Sequence, residues 1–250
     1  MKKIIARHRV SVYQICKCFR NGESSGFLHN PEFTMLEYYT VNADYLDSLT
    51  LTEELFASLG TANSCLAPPF ERLTVAEAFT RYAGFDLFAA TEQPGALATE
   101  ARRLGLDPAN LEKTALYDII FIHAVEPHLK HNRPVALLDY PAFVPTLAQQ
   151  NADGRTVQRW ELYCKGIELA NCFSEETNAQ RVRDFFTSEA EAKKQSSLVQ
   201  HHVDHDYWKH FQGTRPFPVC SGVALGLDRL IMALCGRSRI DSVLPFADKH

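Results

Sequence analysis

The two residues Lys165-Gly166 constrain this sequence more than any others. They stand between Trp160–Cys164 (WELYC) and Ile167–Asn171 (IELAN), two short apolar runs with strand composition. A two-residue connection of this kind closes an antiparallel hairpin. With Lys165-Gly166 as the turn, Cys164 faces Ile167 and Tyr163 faces Glu168. Side chains alternate along a strand, so Glu161, Tyr163 and Glu168 share one sheet face. Two carboxylates placed as diagonal neighbours repel unless something positive lies between them. One reading is a Mg²⁺ site serving a nucleotide triphosphate, with few protein oxygens and phosphate completing the shell. The other is a solvated outer face. Asn171 and Glu175 follow at once, and this crowding of polar groups among apolar neighbours favours the site. Strict alternation sends Asn171 to the opposite face, so the strand must bulge or end near it for Asn171 to join.

Two further stretches carry similar chemistry. In Phe19–Tyr39 (FRNGESSGFLHNPEFTMLEYY), a strand over Val10–Phe19 and a second over Glu32–Tyr39 flank a polar, glycine-bearing loop. Phe33, Met35, Glu37 and Tyr39 fall on one face of the second strand. An aromatic, an acid and a phenol together suit a ligand-facing strand. Arg20 ends the first strand, where a guanidinium can grip a phosphate or carboxylate with two bonds. Phe33 can stack on a base, although core packing explains it equally well in isolation. Glu37 can pair with a ligand ammonium. In Ser221–Leu234 (SGVALGLDRLIMAL), a strand enters a helix at Leu227. Ser221, Gly222, Ala224 and Gly226 are small enough for close approach. Arg229 falls in the first helical turn, and a helix start with a guanidinium makes an anion site. An ordinary strand–helix joint with a surface arginine fits equally.

The remaining segments read as scaffold. Asp44 caps a helix of about four turns to Leu59. Ala62–Arg72 is a loop, and Thr74 with Glu77 forms a capping box opening a helix to Ala83. Thr91–Pro108 is a small helix pair. Leu111–His131 is a periodic helix with Leu116, Ile119, Ile120, His123 and Ala124 on one side. Val135–Tyr140 is a strand, and Ser174 caps a long polar helix to about Ser196. Hairpins with helices between them indicate an α+β fold, in one domain spanning 1–250 with a helical insertion at about 44–131.

A net charge of −4 over 250 residues argues against a protein that grips nucleic acid through phosphates. The apolar runs Tyr117–Val125 and Val223–Leu234 are too short or interrupted to span a bilayer, and the start has no signal-peptide core. A cytoplasmic protein without membrane partners is expected. Seven cysteines without a CxxC pair suggest neither a disulfide framework nor a zinc ribbon. His201 and His205 have helical spacing beside His202 and Asp204, which invites a metal reading, but a solvated helix explains this polar segment better. His123 and His128 are expected to pack or cap.

These stretches together resemble a known family. FRN…HNPEFTMLEYY looks like motif 2 of class II lysyl-type synthetases, ELYCKGIELANCFSE like their metal- and lysine-binding hairpin, and SGVALGLDRL like motif 3. The likeness covers most of the chain. It is strongest to the elongation factor P–(R)-β-lysine ligases, paralogues of lysyl-tRNA synthetase without its anticodon-binding domain. The wording KGIELAN and SGVALG, the absence of a preceding OB-like domain, and Ala224 in place of a usual glycine point that way. That exchange is associated with accepting β-lysine.

The resemblance implies a class II synthetase-like antiparallel sheet flanked by helices. It implies activation of (R)-β-lysine or lysine by ATP with Mg²⁺, then transfer to a lysine side chain of elongation factor P, without tRNA. Arg20 and Arg229 would be the catalytic cations, with Arg20 holding the α-phosphate and the substrate carboxylate. Glu23, His29, Asn30, Phe33 and Arg229 would bind ATP, with Phe33 and Arg229 sandwiching adenine. Glu161 and Glu168 would carry Mg²⁺. Glu37, Tyr39, Asn171, Phe173, Glu175, Ala224 and Gly226 would surround the lysine-like substrate.

The sequence departs from the family pattern in places. The loop Arg20–His29 is one residue longer, and Gly22 replaces an acid, so its role passes to Glu23. Cys172 stands where glycine is usual. The family's motif 1 and Ser-Pro-Glu strand precede motif 2, whereas this sequence opens almost at motif 2. An N-terminally truncated core is therefore expected, with the family's homodimer and its activity both in question. Two other readings compete: a non-catalytic synthetase-like binding protein, and a free-standing lysyl-tRNA synthetase core. The first has little use for the full set Arg20, Glu161, Glu168 and Arg229. The second is disfavoured by the acidic charge and the absent anticodon domain.

Overall fold

The computed structural model describes residues 1–20, 26–60, 64–131, 133–196, 204, 207–213 and 216–247. In chain order the elements are α1 (Lys2–His8), β1 (Val12–Phe19), β2 (Glu32–Val41), α2 (Tyr45–Ser58), β3 (Glu71–Thr74) and α3 (Val75–Ala78). Next come α4 (Leu87–Glu92), α5 (Ala96–Arg103), α6 (Lys113–Ile120), β4 (Val135–Pro141), β5 (Thr156–Cys164) and β6 (Ile167–Ser174). The last are α7 (Ala179–Ser196), β7 (Cys220–Gly226) and α8 (Leu227–Leu234).

The seven strands form one sheet in the order β1-β2-β7-β6-β5-β4-β3. Every neighbouring pair is antiparallel except β3 and β4. The expected antiparallel α+β architecture is therefore present, with a parallel edge pair added. The short β3 lies where a loop was expected. A run of four residues beside Pro68-Pro69 gives too little alternation to be read as a strand.

The sheet has a closed face and a face that is open at its middle. On the closed face Leu138, Trp160, Leu162, Ala170, Cys172, Val223 and Leu225 pack against Leu49 and Phe56 of α2 and Leu230 of α8. Trp160 is fully buried, and its indole N–H donates to the Tyr45 carbonyl at 2.6 Å. Asp44 accepts from the backbone N–H of Leu46 and Asp47 at the start of α2, in a reciprocal capping box with Asp47.

On the other face, the helices between β3 and β4 cover the β3–β5 end, around Phe79, Leu116, Tyr117, Ile120 and Leu137. Ile5 of α1, Val182 of α7, Phe211 and Phe217 cover the opposite part around Tyr39 and Cys220. Between the two clusters neither set of described helices packs on the sheet face.

Two local expectations fail. Ser174 ends β6 and is buried, where its hydroxyl accepts from Tyr45 N–H. The cap of α7 is instead Asn178, whose Oδ1 accepts from the N–H groups of Gln180 and Arg181. The α6 pattern also shifts: a π-helical turn at Phe121–Val125 follows it, and Tyr117, Phe121 and Val125 join Leu116 and Ile120 inside. The i→i+5 turn rotates the apolar stripe. His123 is left exposed with Nδ1 2.8 Å from the Ile119 carbonyl. His128 stacks on Tyr82, centroids 5.0 Å apart.

Candidate active site

The open face is built by strand register. Lys165 and Gly166 both have positive φ, 52° and 77°, as a two-residue hairpin turn requires. Cys164 faces Ile167 and Tyr163 faces Glu168, as expected. The next pair is Leu162 with Ala170, so Leu169 is an extra residue that bulges β6. The bulge turns Asn171 onto the Glu161 face. One row of partners then crosses the sheet: Gln14, Glu37, Ala224, Asn171, Glu161, Leu137. The adjacent row is Val12, Tyr39, Gly222, Phe173, Arg159. Six of the candidate residues, Glu37, Tyr39, Glu161, Asn171, Phe173 and Ala224, thus share a surface by backbone pairing alone.

At the β5 end of these rows lies a charged cluster. Glu161 accepts from the hydroxyls of Tyr140 at 2.6 Å and Tyr163 at 2.8 Å, and from the Arg159 guanidinium. Arg159 also donates to Asn171 Oδ1 at 3.3 Å and lies 4.5 Å from the Tyr140 ring centroid. Burial works against the Arg159 charge, but Glu161 and the surrounding tyrosines more than offset it, so its pKa is raised. Glu168 sits in the neighbouring concavity. Its side chain keeps 42% of its surface, with the Arg229 guanidinium 3.7 Å from the carboxylate. Desolvation and the Glu161 charge push it up to about 7, against the pull of Arg229. Glu126, half-buried after the π turn, is raised by burial and by the same Glu161 charge.

Sequence reasoning missed Arg159 and Glu126. Arg159 was legible in principle, two residues before Glu161 on the same face. Glu126 had no local signal, because only the packing of its turn brings it near.

The next part is a cavity of about 160 Å³ between β2, β6 and β7. Arg20, His29, Asn30, Phe33, Glu168, Asn171, Ala224, Gly226 and Arg229 all line it. Arg229 is fixed by donating to the carbonyls of Leu28 at 3.2 Å and Glu168 at 2.9 Å, and its Nη1 is 3.7 Å from the Glu168 carboxylate. The Arg20 guanidinium lies 5.5 Å from the Phe33 ring centroid. Asn30 is buried and donates to the Glu32 carbonyl at 2.6 Å, which braces the turn into β2. The start of α8 already holds a carboxylate: Asp228 is buried and accepts from Thr34 N–H at 2.5 Å. Arg229, rather than the helix terminus, is therefore the cation facing the cavity.

At the far end of the rows the chemistry changes to carboxylates suited to an amine. Glu37 accepts from Gln14 Nε2 and from the Tyr39 hydroxyl, each at 3.3 Å. Glu175 is buried, and Lys2 Nζ lies 2.7 Å from its Oε1 and 2.8 Å from its Oε2. Burial raises the Glu175 pKa, and Lys2 opposes the rise. Lys2 also lies 5.2 Å from the Phe173 ring centroid. The Tyr39 ring rests on Gly222, where an added Cβ would come within 2.3 Å of Tyr39 Cε1. Gly222→Ala is therefore expected to cost roughly 1–3 kcal/mol by forcing the ring aside. A shift in the urea midpoint at unchanged slope measures it.

Glu23, His201, His202 and His205 lie outside the described residues. Asp204 pairs with Lys3. Cys16 and Cys18 have sulfurs 3.9 Å apart, and Cys164 and Cys65 3.6 Å apart, all as free thiols. Among the described residues no helix is long and apolar enough to cross a membrane.

The chain matches the family model described as tRNA synthetases class II (D, K and N) over residues 2–250. It is similar to the elongation factor P–(R)-β-lysine ligase of Histophilus somni strain 2336, 38% identical over 248 residues, covering 98% of this chain and 74% of that protein. The ligase of the same name from Avibacterium paragallinarum is 35% identical over 249 residues, covering 99% and 74%. That from Proteus mirabilis is 35% identical over 248 residues, covering 98% and 74%. A match along nearly the whole chain, on a sheet whose cross-strand rows bring residues of all three motifs onto one face, means that this chain belongs to the class II tRNA synthetase family of the D, K and N type.

Proposed function

We propose that this chain is an ATP-dependent ligase. It activates (R)-β-lysine, or lysine, as an aminoacyl-adenylate and passes the aminoacyl group to a lysine side chain of elongation factor P. The observation that carries this reading is the gradient along the open face. Cations suited to phosphate, Arg20 and Arg229, lie at one part, and carboxylates suited to ammonium groups, Glu37 and Glu175, at another. Ala224 and Asn171 follow Glu37 in one row and line the same cavity as Arg20 and Arg229. A diamino acid laid along such a surface presents its carboxylate to the cations.

In the first step an oxygen of the amino acid carboxylate attacks the α-phosphorus of ATP. The bond to the bridging oxygen breaks, and pyrophosphate leaves with the electron pair. Arg20 holds the α-phosphate and the incoming carboxylate, and Phe33 offers its ring to the base. Arg229, fixed by two carbonyls, is preorganised toward the phosphates, so its cost of ordering is met on folding. In the second step the acceptor amine attacks the acyl carbon and AMP leaves. No protein nucleophile is needed, and rate acceleration rests on positioning and charge neutralisation.

The donor set fits Mg²⁺. Among the described residues no three His, Cys, Asp or Glu side chains form a cage. Mg²⁺ takes one or two carboxylates and completes its shell with phosphate oxygens and water. Glu168 and Glu161 are such a pair, and burial together with the Glu161 charge raises the Glu168 pKa. They would hold the ion, which would neutralise charge on the triphosphate.

The direct test is ATP–pyrophosphate exchange with lysine and with (R)-β-lysine, followed by transfer to elongation factor P. Exchange with at least one of the two is expected. A folded protein that exchanges with neither overturns the ligase reading in favour of a binding protein. Ala224 lies between Glu37 and Asn171, where a methyl group trims the space for the substrate backbone. Ala224→Gly is expected to move the ratio of kcat/KM toward α-lysine by about tenfold, the effect of one methyl-sized contact. An unchanged ratio removes Ala224 from the specificity argument.

A further inference from the structure

Glu175 is a buried carboxylate with an imperfect partner. Its side chain is 2% exposed, and its counter-ion among the described residues is Lys2, which keeps 23% of its own surface. The Lys2 ammonium is within 2.8 Å of both carboxylate oxygens. Only the contact to Oε2 has hydrogen-bond geometry, so among the described residues Oε1 is buried without a hydrogen-bonding donor. A buried carboxylate oxygen without a donor is costly and marks a place where a better-aimed donor would be bound tightly. The surroundings suit a primary ammonium: the Phe173 ring face lies 5.2 Å from Lys2 Nζ, and the Tyr39 ring walls the same end of the face.

We propose that the Lys2 side chain is a built-in competitor, its ammonium occupying the seat that the side-chain ammonium of the amino acid substrate takes, so that substrate must displace Lys2 to bind. The inference rests on the assignment of a lysine-type substrate above. Lys2 reaches the seat from α1 while part of its side chain still touches solvent, so it can leave without unfolding an element. Displacement exchanges one ammonium for another on Glu175, so the carboxylate is never left without a cation. The apparent affinity for substrate is reduced by the fraction of time Lys2 holds the seat.

The experiment uses n-butylammonium, an alkylammonium with no carboxylate, and needs neither ATP nor turnover. Calorimetric titration of the unaltered chain is compared with Lys2→Met, which keeps the methylene stem over Phe173 and removes the charge, and with Lys2→Gln. Butylammonium is expected to bind at least threefold more tightly to both variants. In the unaltered chain, saturating butylammonium is expected to raise acetylation of Lys2 relative to exposed Lys165, read by peptide mass spectrometry. Unchanged or weaker binding in the variants, or a labelling ratio that ligand leaves unmoved, overturns the proposal. Because the probe bypasses the reaction, a failed exchange assay with a positive titration rejects the ligase reading alone. Normal exchange with a negative titration rejects the competitor alone.

Discussion

Glu168→Gln is expected to abolish amino-acid-dependent ATP–pyrophosphate exchange, a loss of about 10²-fold or more, and at the same time to raise the melting temperature near pH 8. The two effects have one cause. Burial, and then the neighbouring Glu161 charge, push the Glu168 carboxyl from 4.5 up to about 7. The folded chain binds that proton more tightly than the unfolded chain. The ionised form therefore costs stability, and the cost grows between about pH 4.5 and 7 and is complete above that range. Glutamine mimics the protonated acid and removes the cost, so the variant gains on the unaltered chain as pH rises and matches it near pH 4.5. The same substitution removes the charge that would share Mg²⁺ with Glu161. Arg229 keeps its bond to the residue 168 carbonyl, so the wall of the cavity survives. Scanning calorimetry at two pH values and an exchange assay read the two arms. Retained exchange would refute the metal assignment, and a variant that melts lower at high pH would refute the repulsion.

What the sequence made legible was whatever depends on local chemistry. The Lys165-Gly166 turn fixed the pairing of Tyr163 with Glu168 because two residues of positive φ leave one register. Alternation along Phe33, Met35, Glu37 and Tyr39 survived because β2 has no bulge against either neighbour. Asn171 was legible only as a condition: it needed a bulge, and nothing in IELAN says that Leu169 is the residue to supply it. The Lys2–Glu175 contact was invisible for a different reason. It joins residues 173 positions apart, and α1 reads in isolation as a basic surface segment. The mistaken cap at Ser174 shows the limit of capping rules: a serine before a polar helix satisfies them, yet tertiary pairing kept this one in the strand. Arg159 was passed over because the apolar run reads as starting at Trp160, whereas β5 begins at Thr156. Only the fold reveals that its guanidinium is held by Glu161 and Asn171 over the Tyr140 ring and keeps 17% of its side-chain surface.

Arg159→Met should be the most destabilising single change within the site. The guanidinium and Glu161 are 17% and 12% exposed, so each charge has lost most of its water and depends on the other. Methionine fills much of the volume beside Tyr140 but leaves the carboxylate with two tyrosine hydroxyls and no cation. Breaking a buried pair from one side costs about 3–5 kcal/mol. For a chain of this size that is a fall in melting temperature on the order of 10 °C. The double variant Arg159→Met/Glu161→Gln removes both charges while the amide can still accept from Tyr140 and Tyr163. It should therefore recover most of the loss, with a coupling energy of about 1–3 kcal/mol in the double-mutant cycle. Exchange activity should not recover with it, because Glu161 is one of the two carboxylates assigned to Mg²⁺. Stability restored without exchange would separate the two tasks of Glu161, counter-ion to Arg159 and metal ligand. If the double variant stays as unstable as Arg159→Met alone, then Arg159 acts by packing on Tyr140 and bonding Asn171, and the charge pair is incidental to the fold.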